Sequence, residues 1–289
     1  MLIALGLAAA WSMGHHYAGA VVGPAYGSRS LTMYVAILVS GAFVIIGAVS
    51  TRVVMTFVSL TEVAPLYQTA ALLSLVIMTN VTTFLKIPTS TIQLYAFSLL
   101  GVAYETASPV NYTILGLLVI GWIAAPSLSF FMSRGIFRVL QESKHLRYLI
   151  IGVMMYSGLV LGLNDVSNAA SSLVSSGIDP IFSKAICGIA IFFGMLIFGP
   201  RLIKLVGEEM IKMNYRTAAS AQLTKSIIIS ALNALGLNAS INQTIVTSLA
   251  SLGARKNVFR GILQGWIYSP IIGFASAFVF ALVLKLLFG

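Results

Sequence analysis

Asn164, Asp165 and Asn168 stand inside the stretch GLNDVSNAA (Gly162–Ala170), within a run otherwise apolar enough to cross a membrane. A carboxylate beside two side-chain amides suits a hard cation such as Na⁺, or a proton, because it offers oxygen ligands and negative charge. Asp165 and Asn168 are three residues apart and Asn164 and Asn168 four, so on a helix they share one face. Unwinding at Gly162 would add freed backbone groups to the same pocket. An aspartate at the centre of a spanning helix costs about 2.5–3.5 kcal/mol on insertion scales, so a function or a partner must offset it. An interhelical hydrogen-bond cluster is the plainer use of the same residues.

A second chemistry sits at two polar breaks. PTST (Pro88–Thr91) and NASIN (Asn238–Asn242) put Thr89, Ser90, Thr91, Ser240 and Asn242 directly after Pro88 and Asn238. Such segments suit helix N-termini, where hydroxyls and unpaired backbone N–H groups converge with the positive end of the dipole. Two facing ends would cradle a tetrahedral oxyanion without a buried Arg or Lys, whereas N-capping alone accounts for either one taken singly. His15 and His16 suit a proton carrier or an interhelical donor. Lys225, near the end of its span, is expected to snorkel to the interface. Cys187 lies in an apolar segment and reads as packing, and a single cysteine excludes an intramolecular disulfide. No Walker A, GxGxxG or HExxH pattern is present.

The elements that must position these groups are membrane spans. The 289 residues are 58% hydrophobic and only 8% charged, with a mean hydropathy of +0.98. Soluble domains carry about 25% charged residues, so this is an all-α polytopic membrane protein. The net charge of +10 does not imply nucleic acid, because the basic residues sit at the ends of apolar segments, as positive-inside topology requires. Apolar segments fall at about 1–22, 31–51, 64–85, 110–133, 150–172, 181–200, 218–237 and 261–288. Two shorter ones, about 88–104 and 240–254, suit broken or re-entrant helices lining a cavity. The linker from Ser133 to Tyr148 is the most polar and is placed in the cytoplasm by Arg134, Arg138, Lys144 and Arg147. The opening MLIALGLAAAW lacks the basic residues of a signal peptide and reads as the first span.

The halves repeat. GWIAAP (Gly121–Pro126) recurs as GWIYSP (Gly265–Pro270), IPTSTIQ (Ile87–Gln93) as LNASINQ (Leu237–Gln243), and GHHYAGA (Gly14–Ala20) falls in frame with GLNDVSN (Gly162–Asn168). The spacings are 144, 150 and 148 residues, in the same order. Ten crossings would leave an odd number per half and hence two inverted repeats, the architecture of many secondary transporters. The expected division is 1–133, a cytoplasmic linker 134–149, and 150–289. Gln93 and Gln243, matched across the repeat, join the anion-binding set.

GLNDVSNAA resembles the GxNDxxNA signature of the inorganic phosphate transporter (PiT) family, and IPTSTIQ and LNASINQ resemble its repeated Leu-Pro-x-Ser-Thr-Thr-His segment. The resemblance spans nearly the whole chain. It implies an inverted-repeat fold that moves phosphate with Na⁺ or H⁺, with Asn164, Asp165, Asn168, Ser90, Thr91, Ser240 and Asn242 at the sites. The departures matter: His16 and Tyr17 replace the first-half Asn and Asp, while Ile241 and Gln243 replace Thr and His in the second half. Asn238 also replaces Pro. GPAYGS (Gly23–Ser28) is similar to related sulfate permeases, so sulfate is the alternative oxyanion.

The expectation is therefore a secondary transporter of phosphate in the cell membrane. Thr89, Ser90, Thr91, Ser240, Asn242, Gln93 and Gln243 would bind the oxyanion. Asp165, Asn164, Asn168 and His16 would bind Na⁺ or H⁺ as coupling ion, with no other cofactor. Membrane lipid is the other partner, and a homodimer is compatible with the sequence. An intramembrane enzyme pairing Asp165 with His15 or His16 is the rival from another class.

Overall fold

Twenty-six residues from Leu2 to Gly27 form a single helix, α1, so the first span runs more than a turn beyond the expected 1–22 and takes in Pro24. The computed structural model describes residues 1–50, 59–235 and 239–288, with the side chains of 164 and 167 set aside. The other helices are α2 (Met33–Ser50), α3 (Pro65–Phe84), α4 (Thr91–Thr106), α5 (Tyr112–Val139), α6 (Leu146–Val174) and α7 (Pro180–Ile197). They are followed by α8 (Pro200–Lys204), a π-helical turn (Leu205–Glu209), α9 (Tyr215–Ala234), α10 (Ile241–Ser251) and α11 (Lys256–Phe288). Among the described residues the one β feature is an isolated bridge between Thr61 and Val110.

Among the described residues six helices are long and apolar enough to cross a membrane: α2, α3, α5, α6, α7 and α11. The rest are shorter or more polar, and most are buried in protein. Every residue of α1 from Ala9 to Ala25 except Trp11 is buried, against α7, α6, α3 and α8, so that helix meets protein where the outer helices meet lipid. At about 1.5 Å per residue α10 is roughly 16 Å long, half of a ~30 Å hydrocarbon core. All but one of its residues are buried.

Close packing sets the register of the central helices. A Cβ on Gly14 would lie 2.0 Å from the Ile191 carbonyl oxygen, and one on Gly162 would lie 2.1 Å from that of Val44. Backbone thus touches backbone between α1 and α7 and between α2 and α6. The unwinding at Gly162 that would have added backbone groups to the pocket does not occur. The helix is continuous there, because the missing side chain is used to seat α6 against α2.

Lys225 is a second correction. It does not snorkel but is fully buried, donating from Nζ to the Ala20 carbonyl at 2.9 Å and to Gln222 Oε1 at 2.9 Å. Pro24 has no N–H, so the Ala20 oxygen loses its usual i→i−4 donor, and the lysine of α9 replaces it.

The linker is shorter than its polarity suggested. Helix α5 runs on to Val139, and coil is confined to residues about Leu140–His145. With no Gly or Pro after Gly135, nothing stops the helix sooner. Glu142 then accepts from the first N–H groups of α9, at Tyr215 (3.1 Å) and Arg216 (2.9 Å). Charged side chains also join parts of the chain far apart in sequence. Lys86 pairs with Glu209 at 2.5 Å, and Arg147 donates to the Ser30 carbonyl at 3.0 Å. Across the molecule, Lys285 pairs with Glu105 at 3.0 Å.

Candidate functional site

Helices α4 and α10 begin the same way. Ser90 caps α4 by accepting from the Gln93 N–H at 3.2 Å, and Ser240 caps α10 by accepting from the Gln243 N–H at 3.3 Å. Both serines have extended backbone and are fully buried. An N-cap satisfies one of the unpaired N–H groups of a first turn, leaving the earliest two as free donors. Each capping hydroxyl also keeps its own proton to give away.

The two starts face each other. Gln243 Nε2 donates to Gln93 Oε1 at 2.9 Å, and Gln93 Nε2 returns the bond at 3.5 Å. Asn242, second residue of α10, donates from Nδ2 to the Thr89 carbonyl at 2.9 Å and to that of His16 at 3.4 Å. These two glutamines, expected to touch an anion, bond to each other here, and each keeps a second N–H.

Helix α1 supplies the wall between them. His16 Nε2–H donates to the Thr89 carbonyl at 3.1 Å, and its Nδ1 accepts from the Thr83 hydroxyl at 2.8 Å. His15 Nδ1 lies 3.1 Å from the same hydroxyl, so a directed chain runs His15, Thr83, His16, Thr89. One residue on, the Tyr17 hydroxyl donates to Asp165 Oδ1 at 2.9 Å and lies 2.5 Å from Thr91 Oγ1. With Asp165 ionised, Tyr17 has one proton and gives it to the carboxylate, so Thr91 donates to Tyr17.

Asp165 and Asn168 lie in α6, both buried, with Asp165 1% exposed. Asn168 lines a small cavity with Thr91, Tyr95, Met13 and Ala169, and its Nδ2 has no partner. Asn164 belongs to the same helix, but its side chain lies outside the described residues, as does Asn238 entirely. A carboxylate, a hydroxyl and an amide so placed make an oxygen donor set for a hard cation. Among the described residues there is no cluster of three His, Cys, Asp or Glu to hold a transition metal.

Sequence reasoning missed three participants. Tyr17 was noted only as a substitute for Asp, although its 148-residue spacing from Asp165 marked it as that residue's counterpart. Nothing in the sequence marked Thr83, which reads as one more hydroxyl in a span. Lys225 was assigned to the surface.

Comparison with known proteins extends the reading. The model of a family described as "Phosphate transporter family" matches residues 13–150 and 141–263. A candidate phosphate permease of Methanocaldococcus jannaschii is 23% identical over 273 residues, covering 89% of this chain and 88% of that one. Sodium-dependent phosphate transporter 1-A of Danio rerio is 30% identical over 156 residues, which are 47% of this chain and 24% of that one. The chain thus spans about a quarter of that relative's length. A solved structure, of "the sodium-dependent phosphate transporter", superposes with a TM-score of 0.85 at 17% identity, covering 99% of this chain and 98% of that one. At that identity the likeness shows the fold.

Proposed function

The chain belongs to the phosphate transporter family, and on that premise we propose that it moves inorganic phosphate together with Na⁺ by alternating access. It is a multi-pass membrane protein, and its family is one of transporters, which removes the acid–base enzyme as a rival. We place it in the cell membrane.

One observation carries the site reading: two Ser-capped helix starts meet at Gln93 and Gln243, with Thr89 and Thr91 on either side of the Ser90 cap and Asn242 next to Gln243. Ser90, Ser240 and the free N–H groups of both first turns, that of Thr91 among them, would bind phosphate. Asp165, with Thr91 and Asn168 beside it, would bind Na⁺. The sharing of Thr91 between the two sets gives a physical basis for coupling, since a cation at Asp165 and an anion at the α4 start would attract each other at short range.

Residues 1–133 and 150–289 are the proposed inverted repeats, joined by 134–149. Rocking one against the other would part the Gln93–Gln243 pair and open the site to either side in turn. A cavity of about 620 Å³ between α3 and α11, beside Lys86 and reaching Ile87 and Gly265, supports a passage on the cytoplasmic side. Trp266 donates to the Pro88 carbonyl at 2.9 Å, tying α11 to the segment that leads into α4.

Radiolabelled phosphate uptake into proteoliposomes tests the reading, with Na⁺ and H⁺ gradients imposed separately. Uptake driven by the Na⁺ gradient is expected. Uptake driven by H⁺ alone would move the coupling role to a proton, and no uptake under either gradient would overturn the proposal.

A further inference from the structure

An acceptor without a partner is out of place among donors. Asn242 is 1% exposed, and its Nδ2 faces two backbone carbonyls, those of Thr89 and His16. Carbonyl oxygens only accept, so the amide cannot be turned round, and its oxygen must point the other way. That oxygen, Oδ1, is buried and has no hydrogen-bond partner. It lies in the first turn of α10, the amide bridging from there to the residue just before the cap of α4.

The neighbouring polar groups do not use it. Gln93 and Gln243 satisfy each other, and Ser90 and Ser240 accept from their own helices and keep protons to donate. The free backbone groups of both starts are N–H donors. The two helix starts therefore bring together several donors and one buried amide acceptor without a partner. A buried acceptor left bare is costly, and a ligand that donates to it removes the cost.

Resting on the reading that the two helix starts bind the anion, we propose that Asn242 Oδ1 accepts the proton carried by hydrogen phosphate and so separates phosphate from sulfate. Near neutral pH phosphate retains a P–OH group, whereas sulfate offers four oxygens and no hydrogen. Phosphate can place its hydroxyl on Oδ1 and its remaining oxygens on the donors. Sulfate must set a lone pair against a lone pair there. A site that hydrogen-bonds a substrate hydroxyl rejects the analogue lacking it by large factors. Arsenate, which keeps a proton as phosphate does, belongs with phosphate on this account.

The test is competition against labelled phosphate uptake in proteoliposomes at one fixed pH, with sulfate and arsenate as competitors. In the unmodified protein, arsenate is expected to compete at concentrations near the phosphate KM, and sulfate to have no effect at about a hundredfold excess. In Asn242→Ala, phosphate KM should rise about tenfold and sulfate should compete within about tenfold of phosphate, so the selectivity collapses. Ser240→Ala removes a donor that both anions would use, so it should weaken both and leave their ratio unchanged.

Selectivity retained in Asn242→Ala, or sulfate competing equally in the unmodified protein, overturns the proposal. If Asn242→Ala fails to fold, Asn242→Ser is read by the same ratio and the same criterion. Should Ser90→Ala and Ser240→Ala both leave phosphate uptake intact, the anion site itself is wrong, which is a separate failure.

Discussion

The starts of α4 and α10 share a frame and differ in chemistry. Each is capped by a buried serine, and each carries a glutamine three residues later that reaches across to the other. Between cap and glutamine the sequences part: Thr91–Ile92 on α4, Ile241–Asn242 on α10. Thr91 bonds to Tyr17 and through it reaches Asp165, while Asn242 ties α10 to the backbone of Thr89 and His16. The α4 start thus joins the proposed anion site to the carboxylate, and the α10 start joins it to the segment before α4 and to α1. A repeated backbone device has been kept, and the side chains inside it have been given separate tasks.

The sharpest break of that asymmetry is Asp165→Asn. It removes the charge on the α4 side alone and should weaken Na⁺ dependence of uptake by about a hundredfold or more, the scale of losing one partner of a buried charged pair. Na⁺ titration of initial uptake rates measures it. Ser90→Ala and Ser240→Ala probe the shared frame. Each loses a cap worth about 1 kcal/mol and a donor to the anion, so phosphate KM should rise roughly tenfold in both. Unequal effects would show that one start binds more of the anion than the other.

Tyr17→Phe should fall next. It leaves Asp165 Oδ1 and Thr91 without their shared hydroxyl, lowering the apparent affinity for Na⁺ by about tenfold, the scale of one hydrogen bond to a charged group, while the α10 side is untouched. Lys225→Met is expected to be the mildest for transport. It leaves the Ala20 carbonyl bare, a loss of about 1–3 kcal/mol, which a thermal melt of purified protein would register as a lower Tm.

Polar residues at depth were legible because an apolar chain gives them nowhere to hide: Asp165, Ser90 and Ser240 stand out by composition alone. Their assembly was less so. Tyr17 escaped because a tyrosine among apolar residues reads as an interfacial ring, and its pairing with Asp165 depends on contact between α1 and α6, 148 residues apart. The burial of Lys225 depends on a proline in another helix, which no local pattern on α9 reveals. Continuity of α6 at Gly162 was hidden for the opposite reason. A glycine beside Asn and Asp looks like a break, and only the neighbouring α2 backbone shows that the missing Cβ makes room for a helix. The spans themselves were legible where they face outward. Where a helix is surrounded by protein, as α1 is, hydropathy no longer reports on its position.

That surrounding has a consequence for how the chain is built into its membrane. Helix α1, with its histidine pair, is not among the helices apolar enough to cross by composition, yet it precedes in the chain almost all the elements that bury it. Its main partners α6 and α7 begin at Leu146 and Pro180, which at about 5–20 residues per second are synthesised many seconds later. Until then the histidines of α1 have α3 and the Thr83–Thr89 stretch beside them, and the faces that α6 and α7 will cover have no protein against them. Insertion of this protein therefore cannot be complete helix by helix. Its centre is assembled from α1 and later segments together, and a chain arrested before Pro180 would leave the α7 face of α1 exposed to whatever quality control scans the bilayer.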